Sequence, residues 1–198
     1  MQKQNQDIAY GTASAAKIRR MAMTNQAGKW GKARGREEWN TDSGKGGTYE
    51  NNKNTLNIRN IRNTQQVFCD WRRQWVCLTP EEWVRQHFLH RLVEEYRYPH
   101  ALIGVEVAIR VGEAKKRCDA IVYTPQMQPI VLIECKAEHV PLTQKTLDQA
   151  ITYNRRLDVP YLFLHNGTQT VVSHIHNQQH DFLNHIPAWN QLYPSTTP

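Results

Sequence analysis

Two stretches decide how this chain reads: Cys118-Asp119-Ala120-Ile121-Val122-Tyr123 and, after a short turn, Pro129-Ile130-Val131-Leu132-Ile133-Glu134-Cys135-Lys136. Each is an apolar run of strand length, and each carries charge at one end. Strand side chains alternate, so Glu134 and Lys136 share one face while Ile133 and Cys135 share the other. Two carboxylates about 4 Å apart repel by roughly 4 kcal/mol at an effective dielectric near 20, so Asp119 and Glu134 on adjacent strands call for a cation between them. Oxygen donors of this kind suit Mg²⁺, with Mn²⁺ as a substitute.

Outward from these strands the pattern stays regular. Val67-Phe68-Cys69-Asp70 and Trp75-Val76-Cys77-Leu78 flank Arg72-Arg73 and read as a short hairpin or extended lead-in. Thr79-Pro80-Glu81-Glu82 is a helix start, with Thr79 as N-cap, Pro80 at the first helical position and Glu82 closing a capping box. Val84, Phe88, Leu92 and Tyr96 carry the apolar face until Tyr98-Pro99 stops it. In Ile103 to Val111 apolar and polar residues alternate as in a half-buried strand. Gly112 to Lys116 reads as a loop, and the three strands that follow the helix as an antiparallel meander. Thr143 to Leu157 is a second helix that Pro160 ends, and the two strands Tyr161 to Leu164 and Thr170 to Val172 surround an Asn166-Gly167 turn. The expected order is helix, three strands, helix, two strands: a mixed α/β (α+β) domain with order α-β-β-β-α-β-β over residues 65–198.

Residues 1–64 differ. They hold 12 of the 25 Lys and Arg and 5 of the 18 Asp and Glu, so the whole formal charge of +7 lies there. They also hold 7 of the 10 Gly and none of the Pro or His. Sparse apolar residues without a period cannot offset the ordering entropy, so this segment reads as a disordered basic tail. Its Lys29-Trp30-Gly31-Lys32-Ala33-Arg34-Gly35-Arg36 suits phosphate contact and base stacking, and equally a solvated linker. The chain shows neither a secretory signal nor a transmembrane run, so a cytoplasmic protein without membrane contact is expected. Cys69, Cys77, Cys118 and Cys135 form no C-x-x-C, and read as reduced small residues rather than zinc ligands or disulfides. His174, His176, His180 and His185 lack a carboxylate or cysteine at ligand spacing and read as edge-strand histidines rather than a metal site.

The chemistry that suits the central pair is phosphodiester hydrolysis. It requires an activated water and an offset for charge in the transition state. Asp119, Glu134 and the Cys135 main-chain carbonyl offer the metal oxygens, and Lys136 can orient water or offset negative charge. The triplet alone is weak evidence, since Glu-x-Lys arises by chance at roughly one position in a few hundred. Glu113-Ala114-Lys115 is a second copy, in what reads as a polar loop. What separates Glu134-Cys135-Lys136 is the aliphatic run before it and the aspartate opening the preceding strand; on those residues alone a surface ion pair at a strand end remains the alternative. Gln149 and Tyr153, four apart, share a helix face and can present an amide and a phenol together.

Beyond these residues the chain resembles a known family. Trp75-Val76-Cys77-Leu78-Thr79-Pro80-Glu81-Glu82-Trp83-Val84-Arg85-Gln86-His87-Phe88, Lys116 to Tyr123, Leu132 to Ala137, Gln149 to Asn154, Val159-Pro160-Tyr161-Leu162 and Asn166-Gly167 together resemble the N-terminal nuclease domain of the R subunit of type I restriction enzymes, in its small Bacteroidetes-like form. The resemblance covers about Gln65 to Trp189. It implies the restriction-endonuclease-like PD-(D/E)xK fold, a Mg²⁺-dependent DNA endonuclease activity, Asp119 and Glu134 as metal ligands and Lys136 as the catalytic lysine. It further implies that Gln149 and Tyr153 form a Gln-x-x-x-Tyr motif supporting cleavage and that a first-helix glutamate assists. Glu81 is preferred over Glu82, which the cap occupies. Implied partners are DNA and restriction-modification subunits. Unlike full R subunits, the chain has no Gly-x-x-x-x-Gly-Lys-Ser/Thr loop and so no ATP site of that kind. A non-cleaving DNA-binding or assembly subunit, or a junction or repair nuclease on the same fold, are the rival readings.

Overall fold

A computed structural model describes residues 56–177 and 179–194. The tail expectation for residues 1–55, including the Lys29 to Arg36 segment, lies outside the described residues. Residues 58–64, assigned to that tail from sequence, belong instead to the ordered body. Ile58–Ile61 (β1) pairs antiparallel with Thr64–Cys69 (β2), and β2 pairs with Gln74–Cys77 (β3). Arg62 and Asn63 take φ of +46° and +64°, as the two central positions of a tight hairpin turn of this kind require. Nothing in Ile58–Ile61 alternates cleanly; β2 recruits it through backbone pairing.

Helix α1, Pro80–Glu94, starts as its sequence dictates. Thr79 Oγ1 accepts from the Glu82 N–H at 3.0 Å, and Pro80 occupies the first turn. The cap is one-sided, however: the Glu82 carboxylate turns inward to Arg72, Arg85 and Gln86 instead of back to Thr79. After a short 3₁₀ turn, His100–Leu102, come Ile103–Val111 (β4), Ala114–Tyr123 (β5) and Pro129–Cys135 (β6). Helix α2, Gln144–Leu157, then leads to Tyr161–His165 (β7), Thr170–His176 (β8), Gln179–Leu183 (β9) and a last turn of helix, α3, Trp189–Leu192. The order α-β-β-β-α-β-β is therefore observed, with β9 and α3 added behind it and the three-stranded sheet in front.

Strands β4 to β9 form one sheet in chain order, antiparallel except for β6 and β7. The parallel pair follows from α2, which carries the chain back to the end of the sheet at which β6 begins. The mixed sheet is covered on both faces. Val84, Phe88, Leu89 and Leu92 of α1 pack with Ile103, Ala120, Val131, Ile133 and Phe163; Leu147 and Ala150 of α2 pack with Ile109, Cys118, Ile121, Leu132 and Leu162. Sheets buried on both sides read as continuous apolar runs, which is why β6 and β7 look as they do.

One irregularity matters for function. Ile103 and Val105 of β4 lie on the α1 side, yet Val107 and Ile109, which simple alternation would keep there, lie on the α2 side. The switch occurs at Glu106, whose φ is +55°. The register is the same on both sides of Glu106, so no residue is inserted; a non-glycine residue at positive φ turns the strand locally and re-aims the side chains beyond it. The regular alternation expected for this strand is thus broken at Glu106, which stands opposite Asp119 when the register Val105↔Ala120 and Val107↔Cys118 is interpolated.

Candidate active site

Asp119 lies in mid β5 and Glu134 near the end of β6. The β5–β6 ladder runs to Ala120↔Ile133, so its next step would set Asp119 opposite Glu134. There the two strands part. Asp119 Oδ2 accepts from the main-chain N–H of Cys135 at 2.6 Å, which seats the Asp119 carboxylate against the Glu134–Cys135 peptide. Both carboxylates are buried, Asp119 at 7% and Glu134 at 2% exposure.

The surroundings of the two acids differ. Asp119 Oδ1 accepts from Arg85 Nη2 at 2.7 Å. Arg85, itself buried, also donates to Glu82 Oε2 at 2.6 Å and lies 2.7 Å from Glu106 Oε1. Glu134 has weaker company: Gln149 Nε2 donates to Oε2 at 3.3 Å, Lys136 Nζ stands 3.8 Å from the same oxygen, and Oε1 has no hydrogen-bond partner. Burial and then the Asp119 charge push the Glu134 carboxyl up to about 8. A buried carboxylate oxygen without a partner is costly, and a cation shared with Asp119 would relieve it.

Helix α2 supplies the amide and the phenol. Gln149 Nε2 donates to Tyr153 Oη at 3.2 Å as well as to Glu134, so the two residues expected to work side by side are joined to each other and to the acidic pair. Helix α1 supplies Glu81, which is half-buried and lies 3.9 Å from Arg85. Burial, with Asp119 next, raises its carboxyl above the usual range. Glu82 is spent on Arg72, Arg85 and Gln86 rather than on the cap, which leaves Glu81 the less engaged of the two helix glutamates. All six expected side chains therefore converge on the end of β6.

Sequence reasoning missed Arg85 and Glu106. Each sits one helical turn or one strand away from a named site residue, but a charged residue on an amphipathic helix or an alternating strand reads as solvent-facing. The signal that could have found Arg85 is its spacing, three residues after Glu82 and four after Glu81.

The donor set fits a hard divalent cation. It consists of carboxylate and main-chain oxygen only, and the buried Glu134 Oε1 stands unpartnered. No group of three or more His, Cys, Asp or Glu able to hold a metal occurs among the described residues. Mg²⁺ commonly takes one or two carboxylates and fills its remaining positions with water and phosphate oxygens. Of the histidines of the last strands, His174 stacks on Tyr161, with ring centroids 4.6 Å apart, and His180 Nδ1 lies 2.9 Å from Ser173 Oγ. Among the cysteines, Cys69, Cys118 and Cys135 are buried as expected, whereas Cys77 is exposed at the end of β3. No helix among the described residues is long and apolar enough to cross a membrane.

Comparison with known proteins places the chain in a family. Residues 80–187 match the profile of the family described as type I restriction enzyme R protein N terminus. Among solved structures, a fragment assigned as the HsdR subunit of a type I restriction enzyme from Vibrio vulnificus YJ016 is similar at 18% identity and a TM-score of 0.45, over 59% of this chain. The chain spans 25% of the length of that protein. No curated protein matches.

Proposed function

This chain belongs to the type I restriction enzyme R protein N-terminal family, and from that membership we propose that it is a Mg²⁺-dependent DNA endonuclease module of PD-(D/E)xK type. The observation that carries the reading is the junction of Asp119 with Cys135: one hydrogen bond of 2.6 Å sets the aspartate carboxylate beside the Glu134-Cys135-Lys136 segment, where the β5–β6 ladder ends.

Asp119, Glu134 and the Cys135 carbonyl would hold the ion. When bound, a divalent cation offsets the charge of the scissile phosphate and acidifies water. The chain's own groups supply the rest. Lys136, one residue past β6 with its main-chain N–H bonded to the His165 carbonyl at 2.8 Å, is fixed at its base, and its ammonium, 3.8 Å from Glu134 Oε2, would orient a water or meet developing negative charge. Gln149 holds Glu134, and Tyr153 extends that contact toward a phosphate. Glu81, half-buried and with a raised pKa, is placed to accept or return a proton at the edge of the site. Restriction-modification subunits are the partners that family membership supports, and a cytoplasmic location goes with them.

Incubation of supercoiled plasmid with the full chain in Mg²⁺, Mn²⁺ or EDTA tests the proposal. Metal-dependent nicking that Asp119→Ala abolishes is the expected result. Salt-dependent DNA binding with no cleavage in any metal would instead favour a binding or assembly subunit, and cleavage confined to branched substrates a junction nuclease.

A further inference from the structure

The first four residues of β5, Ala114–Arg117, are all exposed, and the next five are buried. The β4–β5 hairpin therefore runs past the core as a two-stranded arm. It is rich in cations: Arg110, Lys115, Lys116 and Arg117 are four of the thirteen Lys and Arg beyond residue 64, within eight positions. Residues expected from sequence to be a loop, Ala114 to Lys116, are in fact strand. Lys115, dismissed as half of a chance Glu-x-Lys triplet, is one of them.

The register of the arm is hard to explain by folding alone. Arg110 lies directly opposite Lys115. Like charges at directly opposed positions destabilise a strand pair. No acidic group pairs with Arg110, Lys115 or Lys116 among the described residues; Arg117 alone has one, Glu106 at 3.2 Å, and its side chain stays 66% exposed. Two cations held face to face without an anion are suited to an anion brought from outside.

Alternation places that pair on the side of the site. Lys115 and Arg117 share one face of β5, whereas Lys116 shares the other with Cys118 and with Ile109, its cross-strand partner in the α2 core; β5 changes face at Asp119, between Cys118 and Ala120, and the Asp119 carboxylate turns to Arg85 of α1. Contacts agree: Arg117 meets Glu106, Glu106 meets Arg85, and Arg85 meets Asp119. At about 3.3 Å per residue, Lys115 lies about 13 Å along the strand from Asp119, close to four base-pair steps of about 3.4 Å.

We propose that the β4–β5 arm is a backbone-contact surface for double-helical DNA, with Arg110 and Lys115 meeting a phosphate a few base pairs from the bond held at Asp119 and Arg117 bridging the interval. This rests on the nuclease reading for its substrate and adds to it the surface that holds the duplex. The contact is to phosphate, so it carries no base preference.

Fluorescence anisotropy of a labelled duplex, measured with the full chain in EDTA between about 50 and 200 mM salt, tests it. Arg110→Ser/Lys115→Ser is expected to bind about tenfold more weakly, and the slope of log affinity against log salt is expected to fall by about two. Lys116→Ser, on the other face, is expected to stay within about twofold of wild type on the same scale. An unchanged affinity and slope in the double variant overturns the proposal, as does wild type that binds no duplex. So does a Lys116→Ser effect equal to that of the double variant. Failure of the nuclease reading looks different: wild type and Lys116→Ser bind, the double variant does not, and none of them cuts in Mg²⁺.

Discussion

Arg85 Nη2 lies 2.7 Å from Asp119 Oδ1, and the opposite prong of the same guanidinium lies 2.6 Å from Glu82 and 2.7 Å from Glu106. One buried cation on α1 thus fixes an acid on β5, an acid on β4 and an acid of its own helix. A planar fork can do this where an ammonium cannot.

Replacing Arg85 separates anchoring from charge. Arg85→Met leaves the buried Asp119 without its cation and takes one of two from Glu82 and Glu106, which keep Arg72 and Arg117, and a loss of about 3 to 5 kcal/mol in urea unfolding is expected. Arg85→Lys keeps the charge but not the fork. It is expected to fold, with a smaller loss of stability, and to bind Mn²⁺ about ten- to a hundredfold more weakly, as removal of groups that orient metal ligands does. Mn²⁺ titration of the folded variant checks this.

Glu134 is held at a cost to stability. Its Oε1 is buried without a partner and its carboxyl is pushed up by burial and by Asp119. In EDTA, Glu134→Gln is expected to be about 1 kcal/mol more stable than wild type, because the amide removes the repulsion. Added Mn²⁺ should raise the melting temperature of wild type and leave that of Glu134→Gln unchanged. Scanning calorimetry with and without metal reads both effects.

His165 sets an acid limit on the fold. Its ring stacks on Phe88, with centroids 4.1 Å apart, and its Nδ1 lies 2.8 Å from Thr170 Oγ1. Burial, aided by the Arg91 charge, pushes it down to about 3 from an ordinary 6.5. The folded state therefore holds the ring neutral, while the unfolded chain takes up a proton below pH 6.5. Its contribution is fully present above pH 6.5 and is lost progressively as pH falls toward 3. About 2 kcal/mol should be gone by pH 5. Urea midpoints at pH 8 and pH 5 measure the loss, which His165→Gln is expected to reduce.

Thiol accessibility tests the strand ends. Cys77 is exposed, Cys69 is buried, and burial pushes the Cys118 thiol up to about 12 and that of Cys135 well above its ordinary range. Native protein should give one fast equivalent with a thiol reagent, absent in Cys77→Ser, and four after denaturation.

How much of this was legible depends on what each element answers to. Helix α1 was readable because Thr79, Pro80 and the apolar spacing act locally, and β6 because a strand buried on both faces has to be an unbroken aliphatic run. Strand β1 and strand β9, Gln-His-Asp-Phe-Leu, were not, since each is recruited by a neighbour's backbone rather than by its own side chains. The site residues on β6 and α2 followed from spacing. Arg85 did not, because burial of an arginine is decided by three acids from different elements. Nor did the face switch at Glu106: Ile103 to Val111 alternates without a break in sequence, and only the positive φ of Glu106 moves Val107 and Ile109 to the other side.

The central claim is that Asp119, Glu134 and Lys136 form one metal-dependent centre for cutting DNA, and the most direct measurement is the plasmid-nicking rate against Mg²⁺ for wild type and Lys136→Ala purified side by side. The account predicts metal-dependent nicking by wild type and a rate lower by about 100-fold or more in Lys136→Ala, with Mn²⁺ still bound by the variant. Equal rates in the two proteins, with or without metal, would contradict it.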